Sequence, residues 1–238
     1  MKRIQITILA LLAGFALFGL SSCNCIHGSG HEQSEDRKVG DFSRIDISSD
    51  FKVILKQDSS MSLKITADDN LLRYIKTVVR GNMLHIYTKK NICDAGPMTI
   101  YLGVRNLDEI KASGAVEIVS DGKINVQDMN FNFSGNTKLT MDLNAAKVTT
   151  GISGEADINL KGQASSHDVS ISGDGTISAL DFVVGDYDIE TSGAGHCEIN
   201  VLKSLAVHSS GSSEVKYRGN PSNVTNDKSG ASSVEKIN

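Results

Sequence analysis

From Asp41 onward, apolar and polar residues alternate in short runs, as in Val169-Ser170-Ile171 and Ile189-Glu190-Thr191. A period of two marks a strand with one buried face. In the second half the alternation is punctuated by Ser-Gly steps at Ser113, Ser134, Ser153, Ser172, Ser192, Ser210 and Ser229, spaced by 21, 19, 19, 20, 18 and 19 residues. Five positions after each serine stand Ile118, Leu139, Ile158, Ile177, Cys197, Val215 and Val234, all apolar. Three positions before stand Ile110, Phe131, Thr150, Val169, Ile189, Val207 and Asn226. Such phase-locked columns predict stacked coils, each an apolar strand, a Ser-Gly corner and a second apolar strand. The expected fold is all-β: a right-handed parallel β-helix of about 19 residues per rung, its hand following the usual sense of parallel crossovers.

The corner glycines Gly114, Gly135, Gly154, Gly173, Gly193, Gly211 and Gly230 are expected where a repeated sharp bend favours positive φ. The stacked serines could pass hydroxyl hydrogen bonds from rung to rung. The last rung turns polar, with Asn226 and Lys228 at inward positions, which fits the end of a stack that must stop recruiting strands. Residues 40–106 have a different rhythm and are expected to cap the N-terminal end of the 107–238 repeats. There Phe51, Val53 and Leu55 pair with Leu63 and Ile65 across the turn at Gln57–Ser60. Asp69 or Asn70 caps a short helix over Leu71, Leu72 and Ile75, and further strands run over 83–87 and 98–102.

Ahead of this body lies a different kind of sequence. Lys2 and Arg3 precede an apolar run from Ile6 to Leu20, closed by Leu20-Ser21-Ser22-Cys23. That run is short of the roughly 20 residues that span a bilayer, and its ending resembles a bacterial lipobox with Cys23 as the lipidated residue. Residues 1–22 are therefore expected to be a lipoprotein signal peptide. Residues 23–39, rich in Gly, Ser and charge, read as a flexible tether. The cluster Cys25, His27 and His31 in that tether lacks the fourth ligand of a structural zinc site. Of the remaining cysteines one pair can form, either Cys25–Cys93 or Cys93–Cys197, and Cys197 sits in a column of otherwise aliphatic residues. From Cys23 onward, 22 Lys/Arg face 28 Asp/Glu. A mildly acidic chain argues against a nucleic-acid partner.

Candidate chemistry is sparse. A row of serines is not a row of nucleophiles, because no His or Asp is locked to their offset to activate them. Glu117 and Asp157 stand two rungs apart, roughly 9–10 Å by strand spacing, near the upper limit for an inverting carboxylate pair. Lys138 between them reads more simply as part of an alternating surface ladder. Asp168 and Asp188 fall on adjacent rungs, with Glu190 two residues along; like charges so placed call for compensation, for which a calcium ion is one candidate. No cofactor motif occurs. The chain has no Trp and only 5% aromatic residues, against a dedicated sugar-binding platform.

One resemblance gathers these features. The opening Asp41-Phe42-Ser43-Arg44-Ile45, then Asn70-Leu71-Leu72, Gly81-Asn82-Met83-Leu84-His85-Ile86, the Ser-Gly repeats and a close near Lys216–Pro221 resemble the bacterial family known as putative auto-transporter adhesin, head GIN domain. The resemblance spans residues 40–238. It implies a β-helix in a secreted or lipid-anchored protein of the cell envelope, and it carries no catalytic motif onto this chain. The reading is a non-enzymatic, lipid-anchored outer-membrane protein for adhesion, binding or assembly, with an envelope glycan or protein as partner. The alternative is a glycan-active enzyme or carbohydrate-binding β-helix, which would need a cleft with two carboxylates and a basic side chain.

Overall fold

The computed structural model describes residues 25–238; the expected signal peptide and Cys23, the expected lipidation position, lie outside the described residues. The first half holds β1 (Ile26–His27), β2 (Glu32–Arg37), β3 (Arg44–Ile47), β4 (Phe51–Gln57), β5 (Leu63–Asp68), β6 (Ile75–Arg80), β7 (Met83–Thr88), β8 (Ile92–Cys93) and β9 (Thr99–Val104). The second half holds β10 (Glu109–Ala112), β11 (Ala115–Asn125), β12 (Asp128–Phe133), β13 (Asn136–Ile152), β14 (Glu155–Ile171), β15 (Asp174–Thr191), β16 (Ala194–Ser209), β17 (Ser212–Arg218), β18 (Asn223–Lys228) and β19 (Ala231–Lys236).

These strands form the parallel β-helix that the repeat predicts, with about seven turns of about 19 residues. Strands β13 to β16 are 16 to 18 residues long and feed two ladders at once. One ladder joins β7, β3, β10, β12, the second halves of β13 to β16, and β18. The other joins β9, β4, β11, the first halves of β13 to β16, β17 and β19. The phase-locked residues meet as expected. Val53, Ile118, Leu139, Ile158, Ile177, Cys197, Val215 and Val234 are consecutive register partners. All but Val234 are essentially inaccessible. Each aliphatic side chain so buried contributes about 1.5–3 kcal/mol. Beyond β16 the interior opens: every residue of β18 is exposed, Asn226 and Lys228 included.

At the N-terminal end the stacking order departs from chain order. The rung made by β3 and β4 is followed in sequence by the rung of β7 and β9, yet the latter stacks outside it. The next coil, β10 and β11, packs on the other side of β3 and β4. Thus β9 lies between β4 and β5, and the direct pairing of Phe51, Val53 and Leu55 with Leu63 and Ile65 does not form. Instead Leu63 faces Leu102 and Ile65 faces Ile100 in antiparallel register. Two antiparallel strands close the stack, β6 on β7 and β5 on β9, and β2 adds to β5. Residues 69–74 form a hydrogen-bonded turn rather than the expected short helix, with Leu71 N donating to Asp68 O at 2.9 Å and Tyr74 N to Leu71 O at 2.8 Å. Six residues held between two strands give a helix too few bonds to repay nucleation.

The described part of the expected tether, residues 25–39, holds two strands. β1 pairs with β8, the Cys25–Cys93 disulfide ties the two together, and β2 carries only polar residues because it is an edge strand. Arg37 fixes its end by donating to Leu72 O and Ile75 O, both at 2.8 Å. Composition alone does not reveal these pairings, which come from the free edges of β8 and β5.

Candidate functional site

The serine corner is the most regular external feature of the molecule. At each turn the serine N–H donates to a carbonyl of the rung below, as in Ser134 to Ala112, Ser153 to Phe133 and Ser172 to Ile152, at 2.8–3.0 Å. One residue past the glycine, a second N–H does the same, as in Glu155 to Gly135 O and Asp174 to Gly154 O. The corner backbones are thereby drawn together. A Cβ built on Gly154 would lie 2.3 Å from Gly135 O, and on Gly173 2.0 Å from Gly154 O. This corrects the sequence-based account of the corner glycines, none of which has a positive φ. Glycine is required for close backbone approach, not for a left-handed turn. The positive φ belongs instead to Ser49 (101°), which holds the corresponding corner of the β3–β4 rung and stacks under Gly114.

All seven corner serines are exposed. Where their hydroxyls bond within the chain they donate to backbone carbonyls, Ser172 to Ile152 O and Ser210 to Thr191 O, rather than to one another. Beside them runs one outward register column: His85, Asp46, Lys111, Asn132, Gly151, Ser170, Glu190, His208 and Asp227. Its ends are polar and paired, His85 Nδ1 with Asp46 at 2.9 Å and His208 Nδ1 with Asp227 at 3.3 Å. Its middle is small, at Gly151 and Ser170. Two shallow depressions of about 360 and 490 Å³ follow this corner and share Ser170. Together they make a long, shallow, hydroxyl-lined groove.

The other sequence candidates are distributed differently. Asp168 and Asp188 are direct partners across β14 and β15. The compensation comes to Asp168 from Lys147, whose Nζ lies 2.6 Å from it, a bond that also raises the lysine's pKa. Glu190 belongs to the corner column, two strand positions along from theirs. Among the described residues no three His, Cys, Asp or Glu side chains group as an ion site. Glu117, Lys138 and Asp157 are successive partners in one column, as the alternating ladder requires, and Lys52 extends it by pairing with Glu117 at 3.1 Å. Of the two open disulfide pairings the structure has Cys25–Cys93, leaving Cys197 free and buried.

The family-like segments prove to be joints between rungs. Ser43 Oγ donates to Asp108, Asn82 Nδ2 donates to Ser43 Oγ at 2.6 Å, and Asn82 O accepts from the N–H groups of Ser43 and Arg44. The opening around Phe42 and the Gly81-Asn82 turn thus lock β3, β7 and β10 together.

The most perturbed ionisable groups lie inside the helix. Their sequence signal was polar residues in an otherwise apolar column, Val148, His167, Tyr187 and Leu205. His167 is wholly buried, its Nε2 lies 2.9 Å from Thr150 Oγ1, and its ring packs 5.1 Å from that of Tyr187. Desolvation pushes His167 down to about 3 and Cys197 up to about 12, and raises Tyr187 as well. All three are held uncharged where solvent and substrate do not reach.

The fold and the corner define the class: a capped parallel β-helix presenting a repetitive polar surface. The chain belongs to the family described as "Putative auto-transporter adhesin, head GIN domain", which matches residues 41–221. Among solved structures it is similar to a "putative adhesin" from Bacteroides fragilis, with 22% identity, a TM-score of 0.85, and coverage of 89% of this chain and 100% of that one. It is also similar to a "putative lipid binding protein" from Parabacteroides distasonis (19% identity, TM-score 0.73, covering 90% and 100%). A third similar structure is a "putative adhesin" from Parabacteroides merdae (20%, 0.66, covering 90% and 99%). At these identities the likeness speaks for the fold. Among curated proteins nothing matches the chain.

Proposed function

We propose that this chain is a lipid-anchored, non-catalytic binding protein of the bacterial cell envelope, whose rigid β-helix receives an extended envelope glycan or protein segment along the serine corner. The observation that carries the reading is the row of seven exposed hydroxyls at a fixed spacing, roughly 4.8 Å per rung, with the strongly perturbed titratable groups sealed in the core instead of facing it. Exposed hydroxyls at regular intervals suit an extended ligand met by many weak hydrogen bonds, each worth about 0.5–1.5 kcal/mol net. The signal-like leader and Cys23 support an outer-membrane lipoprotein.

The test uses intact cells making the full chain. External protease should remove the body from the cell surface, and cells whose chain carries Ser153→Arg and Ser172→Arg should lose adherence while keeping surface exposure. Protection of the wild-type body from protease would overturn the adhesive role. Unchanged adherence in the double variant would overturn the corner as its site.

A further inference from the structure

The outermost edge of the cap is basic in a chain that is otherwise acidic. Residues 70–93 contain Arg73, Lys76, Arg80, Lys89 and Lys90 and no Asp or Glu. The rest of the chain from Cys23 onward holds 17 Lys/Arg against 28 Asp/Glu. The segment folds as the turn before β6, then β6, β7 and β8, with β6 the terminal strand of its ladder. Most of its charges are gathered at one end: Lys89 N donates to Tyr74 O at 2.9 Å, Arg73 stacks on the Tyr74 ring at 4.8 Å, and Lys76 Nζ reaches Arg73 O at 2.6 Å, while Arg80 stands at the other end of β6 opposite Met83.

Elsewhere on the stack, several basic side chains pair with carboxylates, as Lys52, Lys111, Lys123, Lys147 and Lys216 do. Among the described residues none of the five on this edge lies in such a pair. Several carboxylates of the cap have other partners: Glu35 bonds Arg37 at 3.1 Å, although the charge of Lys76 also acts on it, Asp46 lies 2.9 Å from His85 of β7, Asp94 is 3.3 Å from His27, and Asp69 accepts from Ser29 Oγ at 2.5 Å. Unpaired like charges on an edge repel one another, so an anionic partner stabilises them.

The chain itself points to that partner. Cys25 is tied to Cys93 at the end of the acid-free segment, and Ile26 N donates to Asn91 O at 2.8 Å, beside Lys89 and Lys90. Cys23 is two residues earlier, within about 7 Å of chain even when fully extended. We infer that the β6–β7 edge, with Lys89 and Lys90, is the membrane-facing end of the molecule and rests on anionic phospholipid headgroups beside the anchor. The inference rests on the lipid-anchor reading above. It replaces a body floating on a tether by one clamped to the surface through a disulfide and a basic rim. Because β2, with Glu32 and Asp36, ends the other ladder, the body leans onto β6 rather than standing squarely, and the serine corner is held at a set angle to the membrane.

The test is an amine-labelling footprint of the full mature protein on two kinds of vesicle, phosphatidylcholine alone and phosphatidylcholine mixed with phosphatidylglycerol. Lys76, Lys89 and Lys90 should label several-fold more slowly on the anionic vesicles, with Lys138, Lys161 and Lys228 unchanged. Equal labelling of the first three on both surfaces would overturn the inference. Intact mass of the mature protein separately establishes whether Cys23 is acylated; an unmodified Cys23 sinks the anchor reading alone. In that event, or alongside, the Cys23→Ser chain measures the edge without lipid. At low salt, Lys76→Gln with Lys89→Gln and Lys90→Gln should weaken its partition onto anionic vesicles on the order of 100-fold, about fivefold for each charge removed. Equal partition of variant and parent would refute the basic edge whatever the state of Cys23.

Discussion

Replacing Gly173 by Ala tests the physical account of the repeat most directly. The added Cβ would sit 2.0 Å from Gly154 O and 2.9 Å from Gly154 C and Ser153 C, all backbone atoms that cannot rotate away. Carbon and oxygen require more than 3 Å, so the two corners must part by about an ångström. The movement loosens Asp174 N to Gly154 O, now 2.9 Å, and disturbs Ala194 N to Gly173 O, now 3.0 Å, on the next rung. Overpacking a tight site costs typically 1–3 kcal/mol, and a weakened backbone bond adds about 1 kcal/mol. The expected loss is about 3 kcal/mol, which for a chain of this size lowers the melting temperature by about 6–12 °C. Gly40→Ala, where the new methyl meets nothing within 4 Å, should stay within about 0.5 kcal/mol of the parent. Thermal and urea unfolding followed by circular dichroism measure both. Gly173→Asn separates the two explanations of the corner, since Asn tolerates left-handed backbone but carries a Cβ. It should be no better than Ala. Asn restoring parental stability, or Gly173→Ala melting within 2 °C of the parent, would refute the close-approach argument.

Two further expectations concern the core and the clasp. His167 has a folded pKa of about 3 against 6.5 for the free side chain, so its contribution is complete above pH 6.5 and is lost as pH falls from there towards 3. The full window is worth about 4–5 kcal/mol; urea midpoints of His167→Leu should fall less steeply with acid than those of the parent, and parallel pH profiles would contradict the burial argument. Reducing Cys25–Cys93, which closes a sequence separation of 68 residues, should cost about 4 kcal/mol by loop entropy. A melting temperature indifferent to reductant, or a Cys25→Ser variant as stable as the oxidised parent, would count against the clasp.

The repeat half of the molecule was legible because a solenoid writes its architecture locally. Each rung buries the same columns, so Ile118, Leu139 and Ile158 could be aligned by counting, and the alternation told which face was inside. The polar exit at Asn226 and Lys228 was legible for the same reason. What counting could not supply was any relation between segments that do not repeat. The insertion of β9 between β4 and β5, the pairing of Cys25 with Cys93, and the recruitment of an acidic, tether-like stretch into β2 depend on which free edge is available once the coils have stacked. The corner glycines show the same division within one residue: their positions were fixed by periodicity, but their reason was not. A left-handed bend and a backbone contact make the same demand on sequence, and only the distance between neighbouring rungs, which arises when the whole column assembles, decides between them.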